Sequence, residues 1–207
     1  MLSLQVYRLN NIILIGDWMN NKKDLRIIKT QKCLYDALVN LMKDRPFEEI
    51  KVSDICNEAM INRSTFYAHY NDKYELLADY IKDLKELLTK ELDKNKNISN
   101  TKEYYLEMIR LLLNHIEDRK DTYIEVMINN KNSITMDIFY DVINADITKR
   151  IKNDGANKGK IPSEIIAKFY IGAVFNVSTE WLKKDRKYTR EDLLMYLDRL
   201  IPNELDF

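Results

Sequence analysis

The chain has 207 residues, 45% of them hydrophobic and 32% charged, and its 33 Lys and Arg balance 33 Asp and Glu. That composition excludes wholesale disorder and a collagen-like chain, and a balanced charge means that any attraction to nucleic acid has to be local. Four Gly and three Pro are too few for a many-turned sandwich or barrel, which needs a turn signal every ~8–12 residues, so the expected fold is all-α with few, short connections.

Residues 1–21 read as an N-terminal extension. The apolar run Ile12 to Ile15 falls short of the ~7–15 residues of a signal core and the ~20 of a spanning helix. A cytoplasmic protein without a membrane segment is expected. Gly16-Asp17 must be encoded GGN-GAY, which can hold a ribosome-binding purine run just ahead of Met19, so translation is expected to start at Met19. The other reading is an arm that packs on the fold. Cys33 and Cys56 are not spaced for a metal, and each falls in an apolar helical pattern, which reads as a buried thiol in a reducing compartment. No metal or cofactor is expected.

Lys22 to Lys43 is the first predicted helix, with Ile27, Leu34, Ala37, Leu38 and Leu41 on one stripe and Lys22, Arg26 and Lys29 on another. Pro46 stops it. Val52 to Ala59 follows as a short helix, then a turn at Met60-Ile61. Asn62, a good N-cap, opens a second short helix, Arg63 to Tyr70. Asn71-Asp72 breaks that and caps a long helix from Lys73 to about Lys94. Lys94 to Asn97 is the clearest linker. Helices are then predicted over Thr101–Glu117, Asp121 to about Ile128, and Ser133 to about Lys152, with the major loop at Asn153–Pro162. Ser163 to Lys184 has no charge between Lys168 and Glu180, so it should be buried on more than one face. Gly172, at mid-helix, suggests a close helix approach. Thr189-Arg190-Glu191-Asp192 resembles a capping box with Asp for Glu, and the last helix stops at Pro202.

Two short helices joined by a tight turn and braced by a longer one describe a helix-turn-helix unit. Phe47-Glu48-Glu49-Ile50-Lys51-Val52-Ser53-Asp54-Ile55-Cys56, then Ile61-Asn62-Arg63-Ser64-Thr65-Phe66-Tyr67-Ala68-His69-Tyr70-Asn71-Asp72-Lys73-Tyr74-Glu75-Leu76-Leu77, strongly resembles the DNA-binding domain of TetR-family transcriptional regulators. The Ser-Thr-Phe-Tyr-x-His-Tyr-x-x-Lys run is the specific part. The match covers about Leu25 to Leu92, and Phe169-Tyr170-Ile171-Gly172-Ala173 with Trp181-Leu182 looks like the C-terminal helices of one subgroup.

The resemblance implies an N-terminal three-helix helix-turn-helix domain (22–72) joined by a long helix to a helical-bundle domain for ligand binding and dimerisation (73–207). It implies that Arg63 and Thr65 face base edges, that Tyr67 and His69 reach phosphates or nearby bases, and that Lys73 binds a phosphate. Lys51, Ser53, Asn62 and Ser64 complete the expected DNA-binding set, and Phe66 and Tyr70 are core. Two positions depart from the family pattern. Met60 stands where Gly is usual, which calls for a strained positive φ. Lys51 stands where Ser or Thr usually caps the second helix. Arg as a bidentate reader of guanine and Lys as a point charge on phosphate agree with the assignment. The cluster Lys22, Lys23, Arg26, Lys29 and Lys32 adds local attraction to a phosphate backbone.

In the C-terminal half Tyr104, Tyr105, Met108, His115, Tyr123, Met127, Phe139, Tyr140 and Phe175 are candidates to line an effector pocket, against the plainer reading that an aromatic and Met stripe is core. No nucleotide-binding Gly loop, Gly-x-Ser-x-Gly or His-Glu-x-x-His occurs, so no enzyme is expected. The resemblance implies a homodimeric repressor on a pseudo-palindromic operator in double-stranded DNA, released by an unidentified small molecule. The rival is a TetR-like protein without an effector: an activator, or a DNA-organising or partner-binding protein. An empty apolar pocket favours the first, and a solid core the second. The helices Ser163–Lys184 and Arg190–Ile201 carry apolar faces too wide for one contact and are the expected dimer surface.

Overall fold

The structure, a computed structural model, describes residues 25–93, 101–117, 125–126, 129–130, 134–153, 161–182 and 187–201. The expected extension at 1–21, the linker at Lys94–Asn97, most of the predicted helix at Asp121–Ile128 with Tyr123 and Met127, and the interior of the Asn153–Pro162 loop lie outside the described residues. So do Lys22 and Lys23.

Helix follows helix along the chain: α1 (Leu25–Asp44), a 3-10 turn (Phe47–Glu49), α2 (Val52–Glu58), α3 (Arg63–Tyr67), α4 (Lys73–Asp93), α5 (Thr101–Glu117), α6 (Ile134–Asn153), α7 (Ser163–Leu182) and α8 (Arg190–Leu200). Among the described residues there is no strand, and no helix is long and apolar enough to cross a membrane.

The head has its own core. Leu34, Leu38, Phe47, Ile55, Phe66 and Leu76 are each fully buried there, so α1, the 3-10 turn, α2, α3 and the first turns of α4 close around one apolar centre. Burying a Leu, Ile or Phe side chain contributes ~1.5–3 kcal/mol, which accounts for the stability of helices as short as α2 and α3. That core does not end at the head: Val126, Ile138, Phe139 and Val142 pack against it. Two further clusters hold the C-terminal half. Leu113, Ile116, Trp181, Leu182, Leu193, Leu194 and Leu197 join α5, α7 and α8, and Ile151, Ile166, Ala167 and Ile171 join α6 to α7.

Local signals explain the helix ends. Asp72 accepts from the backbone N–H of Tyr74 at 2.9 Å and of Glu75 at 2.8 Å, starting α4. The expected box at α8 forms: Asp192 N–H donates to the Thr189 hydroxyl at 3.0 Å, and Thr189 N–H to the Asp192 carboxylate at 3.0 Å. Asn62 does occupy the N-cap of α3, but its side chain makes no capping bond. Met60 has the expected left-handed backbone, with φ 55°.

Three expectations need correction. Cys56 is buried, but Cys33 is exposed, because Leu34, Ala37 and Leu38 set the buried face of α1 and Cys33 falls off it. α3 ends at Tyr67 rather than Tyr70, where the His69 amide tightens onto the Phe66 carbonyl three residues back at 2.9 Å. A Cβ on Gly172 would meet nothing within 4 Å, so among the described residues no helix approaches there. The apolar girdle of α7 is half used: Ile166, Ala167 and Ile171 are buried, while Ile165, Phe169 and Val177 stay exposed, Phe169 at 67%.

Candidate nucleic-acid interface

The sequence buries α3 through one residue and turns the rest outward. Phe66 is fully buried and its ring meets Tyr67 edge-on at 5.5 Å. Asn62, Arg63, Ser64 and Tyr67 are exposed; Thr65 and His69 are half-buried. A helix anchored by one aromatic and carrying Arg, Ser, Thr and Tyr on its free faces can enter a groove and offer donors to base edges.

Beside it, Lys51, Ser53, Arg63, Tyr67 and Lys73 line a concavity of about 420 Å³ together with Glu48, Ile50, Val52 and Asp72. The structure thus gathers five of the expected residues around one hollow. Asn62, Ser64, Thr65 and His69 lie outside it. Lys51 does no capping: its ammonium has only donors, and the N-terminus of α2 is instead closed by Asp54, which accepts from Lys51 N–H at 3.0 Å. That bond, reinforced by Arg45 at 2.9 Å, holds the Asp54 carboxyl below its ordinary range. The Lys51 side chain is left exposed at the rim.

Lys73 departs from expectation. Its ammonium donates to three carbonyls, of Phe47 at 2.8 Å, Glu48 at 2.9 Å and Ile50 at 2.8 Å, and lies 4.7 Å from the centre of the Phe47 ring. An ammonium has three protons, and all are committed. Its partial burial pushes its pKa down. Lys73 therefore ties the 3-10 turn to α4. Sequence could not show this, because the acceptors are backbone atoms some 25 residues away.

Sequence reasoning also missed the polar contacts that fix the head to α4. Asp79 accepts from Tyr70 at 2.7 Å, Tyr35 at 2.8 Å and Gln31 at 3.3 Å. The signal was present: Asp79 follows the buried Leu76 by three residues, one helical step along the same face, so a carboxylate stands on an inward-facing stripe.

Of the expected effector residues, Tyr105, Met108, His115, Phe139, Tyr140 and Phe175 are all half-buried. Phe139, Tyr140 and Phe175 form a ring cluster, each of the first two 5.6 Å from Phe175, and burial pushes the Tyr140 hydroxyl pKa up. A second concavity, of about 480 Å³, lies elsewhere, between Glu117 and the Lys187–Asp192 segment. Among the described residues no group of His, Cys, Asp and Glu is placed to hold a metal ion.

A helical head of this kind on an α-helical body defines a helix-turn-helix DNA-binding regulator. Two family models match the chain: "Bacterial regulatory proteins, tetR family" over residues 34–80 and "Transcriptional regulator C-terminal region" over 103–203. The transcriptional activator DhaS of the dhaKLM operon from Lactococcus lactis is 30% identical over 118 residues, 56% of this chain and 56% of that protein. The crystal structure of a TetR transcriptional regulator from Streptococcus agalactiae is 27% identical, covers 86% of this chain and 96% of its own, and superposes with a TM-score of 0.59. Lin0861 of Listeria innocua is 25% identical over 86% of this chain and 92% of its own, with a TM-score of 0.62. The matched curated relatives are aligned over 15% and 56% of their own lengths. The chain belongs to the TetR family of transcriptional regulators, which are DNA-binding transcription factors and not enzymes.

Proposed function

We propose that the chain is a cytoplasmic, homodimeric repressor that binds a pseudo-palindromic operator and is released from it by a small molecule. The observation that carries the reading is the outward set Arg63, Ser64 and Tyr67 on a short helix pinned by Phe66. Arg63 and Thr65 read bases; Lys51, Ser53, Tyr67 and His69 hold backbone or nearby bases; Asn62 and Ser64 complete the edge. A dimer is supported by the exposed Ile165, Phe169 and Val177 along α7 and by Met195, Tyr196 and Leu200 on α8, an apolar face with no cover inside the chain. Two copies would set their recognition helices ~34–36 Å apart, one DNA turn.

In this reading the effector sits at the Phe139, Tyr140 and Phe175 cluster, with Tyr105, Met108 and His115 on the neighbouring helix. An effector lowers operator affinity only by binding the two states differently, and α4, with its first turns in the head core, is the rod that would carry the difference. The rival reading, an activator without a small-molecule effector, draws support from one observation: the relative DhaS is an activator. Selection of bound sequences from a random DNA pool tests the common part. A palindromic consensus with two half-sites about one turn apart is expected, and a pool without enrichment refutes it. Reporter expression from that consensus, with and without the regulator, then separates repression from activation.

A further inference from the structure

The helix that opens the DNA-binding head is finished by side chains from the regulatory half. A helix leaves its last carbonyls, and the next turn its first amides, without partners in their own segment. When buried, these groups must be paired from elsewhere. At the end of α1 they are the carbonyls of Met42 and Lys43 and then the N–H of Phe47. Asn130, which is fully buried, accepts from Phe47 N–H at 2.7 Å. Its amide donates to the Met42 carbonyl at 3.3 Å and to the Val126 carbonyl at 2.8 Å. The Asn129 amide donates to the Lys43 carbonyl. A fourth bond crosses from the other side, from Ile134 N–H at the start of α6 to the Glu48 carboxylate at 3.1 Å.

The same turn is gripped on its far side by Lys73, and it runs directly into Lys51 and Ser53 at the start of α2. Val126 and Phe139 press on the head core from the regulatory side, and Phe139 also stacks on Phe175 in α7. Phe139 thus joins the ring cluster to the same head core that Val126 meets four residues before Asn130. The turn at Phe47–Glu49 is a polar route from that segment to the DNA-facing rim.

We propose that Asn130 is a positioning residue for DNA binding: it touches no DNA, but it fixes the Phe47–Glu49 turn, and through it Lys51 and Ser53, to the regulatory half. The proposal rests on the DNA-binding reading. Its test uses the full-length chain and two measurements, hydrogen exchange of segment 45–51 and affinity for the DNA selected by the native protein. Leu113→Ala, a cavity in the distant α5–α7–α8 cluster, is the control for general loss of stability.

Well below melting, Asn130→Ala should speed exchange of the Phe47 amide about tenfold or more and weaken operator binding about three- to tenfold, the scale of losing a buried partner. Leu113→Ala should lower the melting temperature and leave both readings at native values. If Asn130→Ala does not fold, Asn129→Ala removes one peripheral bond and should move both readings the same way by smaller factors. Exchange that rises no more than in the control overturns the proposal. So does faster exchange with unchanged operator affinity. A native chain that selects no DNA sinks the underlying reading instead, and the exchange arm still reports whether Asn130 holds the turn.

Discussion

Tyr70, just past the recognition helix, donates its hydroxyl to Asp79 of α4 at 2.7 Å, so the element that faces DNA and the rod that reaches the regulatory half share one carboxylate. Hydrogen bonds to a charged group contribute ~1.5–3 kcal/mol, and a buried donor left unpaired costs ~1–3 kcal/mol. Tyr70→Phe removes one donor and leaves Asp79 with Tyr35 and Gln31. Asp79→Ala removes the shared acceptor from all three at once, leaving Tyr35 with Asp83 at 3.2 Å and Gln31 with the Tyr70 hydroxyl at 3.2 Å. Urea unfolding should therefore rank Asp79→Ala as clearly the more harmful, with Tyr70→Phe costing about 1–2 kcal/mol. Equal losses would mean that the carboxylate is not the hub.

The same cluster predicts an alkaline limb. Burial, first of all, pushes the Tyr35 and Tyr70 hydroxyls well above the ordinary tyrosine value of 10.0. A raised folded pKa keeps the proton in the fold after the unfolded chain has lost it. Its stabilisation is complete below pH 10 and drains away as pH climbs from there toward the folded values. Unfolding free energy should fall above pH 10, and the slope should be shallower in Tyr35→Phe. A slope identical in that variant and the native chain would assign the limb to other groups.

Lys73 should behave as a structural tie. Lys73→Met removes the bonds to the carbonyls of Phe47, Glu48 and Ile50, of which Phe47 keeps the Ile50 N–H at 3.1 Å, and should lower stability by about 1.5–3 kcal/mol. The dependence of DNA affinity on salt should keep its native slope. If the variant melts like the native chain and its salt slope is shallower by ~0.9 for each phosphate no longer neutralised, the ammonium leaves its carbonyls for phosphate on DNA.

The open face of α7 should hold a second copy. Light scattering is expected to give twice 24.7 kDa, and Phe169→Asp, a charge on a side chain 67% exposed in the single chain, should give a monomer with native helicity. Gly172→Ala meets no obstacle within the chain, so any loss of dimer from it would place Gly172 where two helices cross. A native chain that is monomeric at micromolar concentration contradicts the assignment.

Helix periodicity, the Pro stop, the Asp72 cap of α4 and the Thr189 box were legible because each is a signal between neighbours in sequence. So was the strain at Met60, once the run from Phe47 to Leu77 had shown what kind of turn stands there. Phe66 and Tyr70 could be assigned to the core for the same reason. What escaped reading were partnerships across long separations: Lys73 with backbone carbonyls, Asp79 with Tyr35, Asn130 with Phe47. Side-chain type sets what a group can bond, not which distant backbone atom it meets. Cys33 misleads because Leu34 beside it is buried, although a shift of one residue turns a helical side chain through about 100°. Gly172 suggests a crossing point within the chain, yet its surroundings there are open.

The central claim is that this head reads sequence, and Arg63 tests it most directly. Titrate native protein and Arg63→Ala with the selected operator and with a scrambled duplex, after circular dichroism has shown both folded. Specific binding should exceed non-specific by a factor of ~10³ or more in the native chain. Removing a bidentate guanine reader should cost ~1–3 kcal/mol on the operator and little on scrambled DNA, so the ratio between the two should collapse in the variant. A native chain that binds both duplexes alike, or a ratio untouched by Arg63→Ala, would contradict the account.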